Sequence, residues 1–320
     1  MHIVFEHSKI LPVKSYGGTE RVMVFLYKEL IKLGHRVSLI GHPQSTVESF
    51  GVRLIPKTDL DWRRQIPSDA DVAHLFYTPP FELPIPMVVT IAGNGQPGEK
   101  FHRNTIFVSK KHAEIHGSDQ FVHNAVDPDD YPFNKKILNW SHFMFLAKAR
   151  WKVKNVKACV KAARMAKKHL HICGGRVFSL SPYIHSYGML TQEKKFPIFD
   201  KADALLFPVR WNEPCAIAIV EALAEGLPVI GSPYGCLPEL IGENAGIVCQ
   251  DEKHLQEVLL HQPRKFDPYD IRHYFEQNFS IWKVAKDYLK AYEKVKAGEF
   301  LNVAVPHTVS PFHPETLLPF

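Results

Sequence analysis

The chain has 320 residues, of which 45% are hydrophobic and 22% charged, as in an ordinary soluble globular protein, and this length predicts two domains. The formal net charge of +6 suits an anionic ligand or an anionic membrane surface, but it is too diffuse to predict nucleic-acid binding. No apolar run reaches about 18 residues, and the first residues lack the pattern of a signal peptide.

The five cysteines include no CxxC pair, which is typical of reduced intracellular thiols that are mostly buried. We therefore expect a cytoplasmic protein. Peripheral contact with the inner face of the membrane is compatible with the basic charge.

Short β-rich runs predict the strands of the first half, and a helix lies between the first two. The strands are predicted at 2–5, 36–41, 52–55, 71–76, 87–91, 105–109 and 120–124. Residues 18–33 carry apolar side chains at helical spacing, and the pattern stops at Gly34, which predicts a helix that ends there.

The second half repeats this alternation of strands and helices. Strands are predicted at 142–147, 169–173, 204–208, 228–232 and 246–249. Helices are predicted at 154–168, 216–225, 251–261, 267–277 and 281–297. A βαβα order predicts parallel, doubly wound α/β sheets with right-handed crossovers.

A polar, proline-containing stretch at 127–136 separates the two series. We predict a Rossmann-like N-terminal domain over 1–134, a second Rossmann-like domain over 135–280, and a C-terminal helix and tail over 281–320 that packs back on the first domain. Two such domains facing one another would bind ligands at the carboxyl ends of their strands, in the cleft between them.

Three patterns in the chain imitate functional sites. GNGQPG (93–98) fits GxGxxG, but the next strand follows too soon for the helix that must hold a pyrophosphate. Cys215 stands at a helix start, yet no catalytic partner can be assigned from the sequence, so a buried thiol is the better interpretation. DxD pairs, which could indicate a metal-bound nucleotide, are expected by chance among this many aspartates; they begin at Asp59, Asp69 and Asp127.

NEPCAIAIVEALAEGLPVIGS (212–232) places Glu221 in an otherwise apolar helix, with no Lys or Arg between 211 and 252. Burial of an unpaired carboxylate costs free energy, so the Glu221 carboxylate must bind either a partner side chain or a ligand. A helix N-terminus can seat a phosphate, a carboxylate within the helix can accept two ribose hydroxyls, and Glu213 could accept hydroxyls beyond the phosphates. That set describes a nucleotide-sugar; the alternative is that Glu221 pairs with a distant lysine.

The segment FPVRWNEPCAIAIVEALAEGLPVIGSPYGCLPELI (207–241) resembles the donor-site signature of the family 4 retaining glycosyltransferases (glycosyl transferase group 1, GT-B fold), with Glu213 and Glu221 as its E-x7-E pair. The resemblance implies that Glu213 lies by the donor sugar hydroxyls and that Glu221 binds the ribose. It also implies that three residues supply backbone amides to the sugar and phosphates: Cys215, Ala216 and Ile217.

Further segments carry the same resemblance over nearly the whole chain. LAKARWKVKNV (146–156) resembles the family's GR…EKG segment, so Lys148 and Lys154 would hold the donor diphosphate. SYGGTE (15–20) is similar to the glycine loop, in which Gly17 and Gly18 would approach the diphosphate from the other domain. HNAVDPDDY (123–131) resembles the loop closing the N-terminal domain, and 278–295 resembles the final helix.

The chain departs from the family pattern in both halves. Cys215–Ala216 replaces the usual Phe-Gly, and Lys148 replaces an arginine, which keeps the charge but loses the bidentate fork. In the first half, Phe76 and Ala92 stand where relatives carry histidines. His74 is the one match for a histidine acting on the acceptor, and a satisfied strand-end histidine is the alternative.

The resemblance implies a metal-independent, retaining hexosyltransferase that needs no cofactor. Its donor would be a nucleotide-diphosphate sugar, and its acceptor a hydroxyl of a sugar, a lipid-linked glycan or a small molecule, as in cell-surface glycan or glycolipid synthesis. We expect four residues to act in catalysis: His74, Lys148, Lys154 and Glu213. Two alternatives stay open, a GT-B-type sugar-nucleotide epimerase or hydrolase and a catalytically weak nucleotide-sugar-binding subunit. An NAD-linked oxidoreductase rests on GNGQPG alone.

Overall fold

A computed structural model describes residues 1–13, 17–58, 61–134, 137–309 and 316–320. The chain folds into two compact units. The first consists of Met1–Ala125 and the described residues from Ile281 to 309, and the second of Val126–Ser280 and residues 316–320. The division thus falls after Ala125 rather than after residue 134, and the end of the chain is shared between the units.

The first unit contains a six-stranded sheet of order β3-β2-β1-β4-β5-β6, and every pair in it is parallel. Its elements before the boundary are β1 (His2–His7), α1 (Gly18–Lys32), β2 (Arg36–Gly41), β3 (Arg53–Pro56), β4 (Val72–Leu75), β5 (Met87–Ile91), β6 (Thr105–Phe107) and α2 (Lys110–Glu114). The predicted strand at 120–124 is wrong: this segment contributes only an isolated bridge between Phe121 and Phe107.

Helix α1 follows the apolar pattern of its sequence. Val22, Phe25, Leu26 and Leu30 are all buried against the sheet side of the unit, and the chain turns at Gly34 with a φ of 82°. A left-handed φ suits glycine because it has no Cβ to clash. The predicted helix end is therefore confirmed to within two residues.

The second unit contains a six-stranded sheet of order β12-β11-β10-β7-β8-β9, again parallel throughout. Its strands are β7 (His142–Leu146), β8 (His169–Cys173), β9 (Ile184–Gly188), β10 (Ala204–Phe207), β11 (Val229–Gly231) and β12 (Gly246–Val248). Its helices are α3 (Val156–Ala166), α4 (Gln192–Lys201), α5 (Ile217–Ala224), α6 (Leu237–Ile241), α7 (Glu252–His261) and α8 (Pro268–Asn278). Sequence patterns missed β9, α4 and α6.

The last helix, α9 (Ile281–Lys296), belongs to the first unit, where it packs against α1 and β5. Its buried side chains include Tyr288 and Tyr292, which reach the middle of the sheet. Both sheets and their helices are of the doubly wound α/β type that the sequence predicts.

Two expectations about the environment of the protein can be compared with the structure. In the described parts of the chain, no helix combines the length and the apolar character needed to cross a bilayer. All five cysteines are buried, and none forms a disulfide.

Candidate functional site

The carboxyl edge of the second sheet carries both glutamates of the E-x7-E pair. Strand β10 ends at Phe207, the chain continues as a loop that contains Glu213, and α5 then begins at Ile217. Glu213 is 6% exposed and Glu221, in the second turn of α5, is 2% exposed. Two nearly inaccessible carboxylates at this edge need partners, and this edge is where doubly wound sheets bind ligands.

Glu213 is held by a cation and by an indole. Its Oε2 lies 2.5 Å from the Nζ of Lys154, which is itself buried, and 2.5 Å from the Nε1 of Trp211. Charge-assisted bonds of this kind are short and strong, so they fix the carboxylate in place. Lys154 and Glu213, which the sequence predicts as site residues with separate roles, are thus brought together in one cluster.

Aromatic rings surround the two predicted cations. The Nζ of Lys154 lies 4.9 Å from the ring centre of Trp211, 5.2 Å from that of Phe207 and 5.9 Å from that of Trp151. The Nζ of Lys148 lies 5.0 Å from the Trp151 ring. The two indoles meet edge to face at 6.0 Å. Ring faces attract cations, so Trp151 helps to hold both ammonium groups on one side of the site.

Glu221 is paired with a lysine that the sequence could not identify. Its Oε1 accepts hydrogen bonds from the Nζ of Lys195, on α4, and from the hydroxyl of Tyr131 at 2.7 Å. This is the alternative that the sequence left open, a distant lysine that neutralises the buried carboxylate. A ribose hydroxyl would therefore share Glu221 with Lys195 and Tyr131.

The start of α5 is buried and lies close to two thiols. Ala216 is the N-cap and has no side chain to cap the helix. Burial is the main cause that raises the pKa of Cys236 well above its usual value, and a hydrogen bond with Cys215 raises it further. The backbone of Ala216 acts in the opposite direction and lowers that pKa in part. Cys215 is thus a buried thiol beside a second buried thiol.

A tight turn supports the loop around Glu213. Gly235 has a φ of 60°, and a Cβ there would lie 2.2 Å from the Glu213 backbone nitrogen. The amide of Cys236 donates to the Glu213 carbonyl at 2.9 Å. Only glycine allows this close approach of the two backbone segments.

In the first unit, the predicted glycine pair begins α1. Gly17 is the N-cap and Gly18 the first helical residue, and a Cβ on Gly17 would lie 2.8 Å from an oxygen of Glu20. Glu20 is buried and pairs with Lys9 and with His7. The nearby His7 imidazole, followed by the Lys9 ammonium, lowers the pKa of Glu20 to about 2 against the opposing effect of burial.

His74 lies in the core of the first unit. It is fully buried, its Nδ1 lies 2.7 Å from the hydroxyl of Tyr292, and its Nε2 lies 2.8 Å from the Oγ1 of Thr90. Burial lowers the pKa of His74 to about 3. This geometry favours the satisfied strand-end histidine over the acceptor-side catalytic histidine.

The patterns that imitate nucleotide sites remain weak in the structure. Residues 99–104, which follow GNGQPG directly, contain no helix, so a pyrophosphate would find no helix N-terminus there. Across the described residues, no group of three or more His, Cys, Asp or Glu side chains is placed to hold a metal ion. The first DxD pair begins at Asp59, which lies outside the described residues.

Four residues that the sequence did not indicate also shape the site. Trp151, Trp211, Lys195 and Tyr131 each contact one of the predicted charged groups. A signal existed for the two tryptophans, which stand within three residues of Lys148, Lys154 or Glu213. Lys195 and Tyr131 lie 26 and 90 residues from Glu221, and only the fold brings them to it.

Most of the candidate site in the second unit lies in a part of the chain that matches a known protein family. Residues 141–261 match the family model described as glycosyl transferases group 1. Over 137 residues the chain is 31% identical to spore coat protein SA of Bacillus subtilis (strain 168), a match that covers 40% of this chain. The match spans only 35% of that relative's own length.

Solved structures resemble the fold over a longer part of the chain. AviGT4, a glycosyltransferase involved in avilamycin A biosynthesis, has a TM-score of 0.77 and 19% identity, covering 93% of this chain and 98% of its own. HepE of Anabaena in complex with UDP-glucose has a TM-score of 0.68 and 13% identity, covering 92% and 99%. At these identities the likeness establishes the fold.

Proposed function

We propose that this protein transfers a sugar from a nucleotide-diphosphate donor to an acceptor hydroxyl, with retention of anomeric configuration. The proposal is supported by the match of residues 141–261 to the glycosyl transferases group 1 and by the GT-B fold of the chain. The observation that carries the proposal is the pair of buried glutamates on either side of the α5 start, each held by a buried lysine. Matched buried charges at a ligand edge are a typical sign of a functional site.

The cationic side of the site would stabilise the leaving diphosphate. Negative charge develops on that group as the bond to the sugar breaks, and Lys148, Lys154 and the N-terminus of α5 offer fixed positive charge. Since Lys154 already pairs with Glu213, a bound phosphate would share this lysine with the carboxylate. The two indoles restrict where the ammonium groups can move.

The two carboxylates would bind the sugar and the ribose of the donor. In this assignment Glu213, fixed by Lys154 and Trp211, accepts hydroxyls of the donor sugar. Glu221 accepts ribose hydroxyls beside Lys195, which keeps its charge balanced when the site is empty of nucleotide. Each hydrogen bond to a charged group contributes about 1.5–3 kcal/mol, so both glutamates should matter for binding.

We propose that the reaction needs neither a metal nor a cofactor, since two lysines and a helix N-terminus can supply the positive charge that a metal would. The acceptor is a hydroxyl of a sugar, a lipid-linked glycan or a small molecule. With both nitrogens of His74 engaged in the core, we assign this residue a structural role. The proton of the attacking hydroxyl would pass to the leaving diphosphate on the same face.

The test is turnover with a panel of labelled UDP-, GDP-, ADP- and dTDP-sugars against sugar, glycolipid and small-molecule acceptors. UDP-glucose comes first because HepE of Anabaena was solved with it. Proton NMR of the new glycosidic bond should show the anomeric configuration of the donor, and Glu213→Gln should reduce transfer strongly. An inverted product would overturn the retaining assignment.

Two other outcomes would replace the proposal. Free nucleoside diphosphate or an epimerised donor formed at the same rate without any acceptor would indicate an epimerase or hydrolase. Tight donor binding without turnover toward every acceptor would indicate a nucleotide-sugar-binding subunit. The feature that favours this last class is Ala216, the N-cap of α5, because it carries a Cβ where the family pattern has a glycine that allows the backbone to approach the ligand closely.

A further inference from the structure

One stretch of this chain carries cations without any acidic residue. Residues 131–192 contain twelve of the 39 Lys and Arg residues, and all 33 Asp and Glu residues lie outside this stretch. The remainder of the chain is therefore net negative. Lys148 and Lys154 belong to the candidate donor site, but most of the other cations lie on or next to α3 and are exposed.

Helix α3 borders a groove on the surface of the second unit. The groove has a volume of about 530 Å³ and is open to solvent on one side. Its walls combine cations with apolar side chains, among them Lys157, Lys161, Arg164, Val160, Met165 and Val177. One of the cations, Lys161, is balanced by Glu252 at 2.8 Å.

The groove lies beside a link between two strands that contains no helix. Parallel strands are usually joined by a crossover of a dozen or more residues that contains a helix. Here the link from β8 to β9 is residues 174–183, all described, and it contains no helix. The link runs beside α3 with Val177 facing inward, while Phe178 and Leu180 are each 90% exposed.

Two strongly exposed apolar side chains beside a cationic helix form a distinct surface. We call the combination of Lys157, Arg164, Met165, Phe178 and Leu180 the α3 face. Isolated exposed apolar residues are common, but an apolar tip next to a cluster of cations marks an interaction site. The partner must accept apolar side chains and carry negative charge.

We propose that the α3 face docks on an anionic lipid bilayer. At the surface of such a bilayer, Phe178 and Leu180 would enter the boundary between head groups and acyl chains, while the cations stay at the phosphates. A nucleic acid would use the cations but would leave Leu180 and Met165 in water. This inference is independent of the proposed function, because it concerns a surface outside the candidate donor site.

The test is co-sedimentation of the purified chain with two kinds of vesicle. One contains phosphatidylcholine alone, and the other contains phosphatidylcholine with about 30% phosphatidylglycerol as the anionic lipid. We expect binding to the anionic vesicles only, weakening as salt rises. Each Lys or Arg near the surface changes binding about fivefold, so Lys157→Gln with Arg164→Gln should weaken it about 30-fold. Phe178→Ser with Leu180→Ser should weaken it by at least about tenfold.

The matched controls remove exposed cations and an exposed apolar side chain from the first unit. Lys286→Gln with Lys294→Gln removes two exposed cations of α9, and Val303→Ser removes a side chain that is 97% exposed. Both controls should bind anionic vesicles as the wild type does. All variants change exposed side chains, and an unchanged melting temperature verifies their fold.

Three results would overturn the inference. The first is no binding to anionic vesicles, or equal effects of the control variants. The second is tight binding to mixed-sequence DNA or RNA that survives Phe178→Ser with Leu180→Ser, without vesicle binding, which would assign the face to a polyanion. The third is a dimer in analytical ultracentrifugation, without vesicle binding, that the same two substitutions dissociate, which would assign it to a second copy of the chain.

Discussion

Replacement of Lys195 by methionine tests whether the buried pair around Glu221 has the energetic weight that its geometry implies. The side chains of Lys195 and Glu221 are 8% and 2% exposed, so water cannot replace the lysine when it is removed. Methionine keeps most of the length of the side chain and removes its charge. The carboxylate then retains the hydroxyl of Tyr131 at 2.7 Å.

The expected loss follows from the cost of a buried charge without its counterion. Removal of one partner of a buried ion pair destabilises proteins by about 3–5 kcal/mol, and the Tyr131 hydrogen bond places this case near the lower end. In a unit of this size, a loss of about 3 kcal/mol lowers the melting temperature by about 6–12 °C. The double variant Lys195→Met with Glu221→Gln should recover much of this loss, because it also removes the negative charge.

The assay is thermal unfolding at neutral pH by calorimetry, which can separate the transitions of the two units. Lys161→Met is the matched control, because Lys161 pairs with Glu252 at 2.8 Å while their side chains are 58% and 32% exposed. An exposed pair contributes about 0–1 kcal/mol. A melting temperature of Lys195→Met within about 1 °C of that of Lys161→Met would show that the buried pair has no such weight. A double variant no more stable than the single one would show the same.

Three further predictions address the lysines, metal dependence and pH. Lys148→Ala and Lys154→Ala should each reduce turnover of the cognate donor by about 10²-fold, whereas Lys157→Ala and Lys161→Ala should remain near wild type; equal small effects in steady-state kinetics would argue against a diphosphate role. Turnover should be unchanged in EDTA, and a loss that Mg²⁺ or Mn²⁺ restores would contradict the metal-independent mechanism. Burial lowers the pKa of His74 from 6.5 to about 3, so the unfolded state takes up the proton first and this contribution to the free energy of unfolding is lost as pH falls from about 6.5 to 3. Urea unfolding should therefore show the difference between wild type and His74→Gln shrinking over that range, and a constant difference would contradict the account.

The sequence predicts most of the fold because its strands are short apolar runs separated by helical patterns. The predicted bounds of β2, β5 and β8 agree with the structure, and each is a run of largely buried residues. The sequence pattern does not predict β9, because its residues, IHSYG, include polar side chains that are only half buried at the edge of the sheet. The segment 120–124 was predicted as a strand because it contains apolar residues. In the structure, however, Phe121 is 38% exposed and pairs with one residue only.

Some residues of the candidate site follow from local sequence patterns, whereas others have partners that are distant in the sequence. The spacing of Glu213 and Glu221 and the basic segment near 150 are local patterns, and the structure places Glu213 against Lys154. The partners of Glu221 and His74 could not be predicted, because Tyr292 lies 218 residues from His74 and Lys195 lies on a helix that the sequence did not indicate. Local periodicity carries no information on such pairs.

We propose that the second unit binds a nucleotide-diphosphate sugar between Glu213 and Glu221. Isothermal titration of the wild type, Glu213→Gln and Glu221→Ala with a nucleotide-sugar and with its free nucleoside diphosphate measures this binding. We predict that Glu221→Ala weakens both ligands, by about tenfold or more per lost hydrogen bond, whereas Glu213→Gln weakens mainly the nucleotide-sugar. Equal affinities of all three proteins for both ligands would rule out this role for the two glutamates.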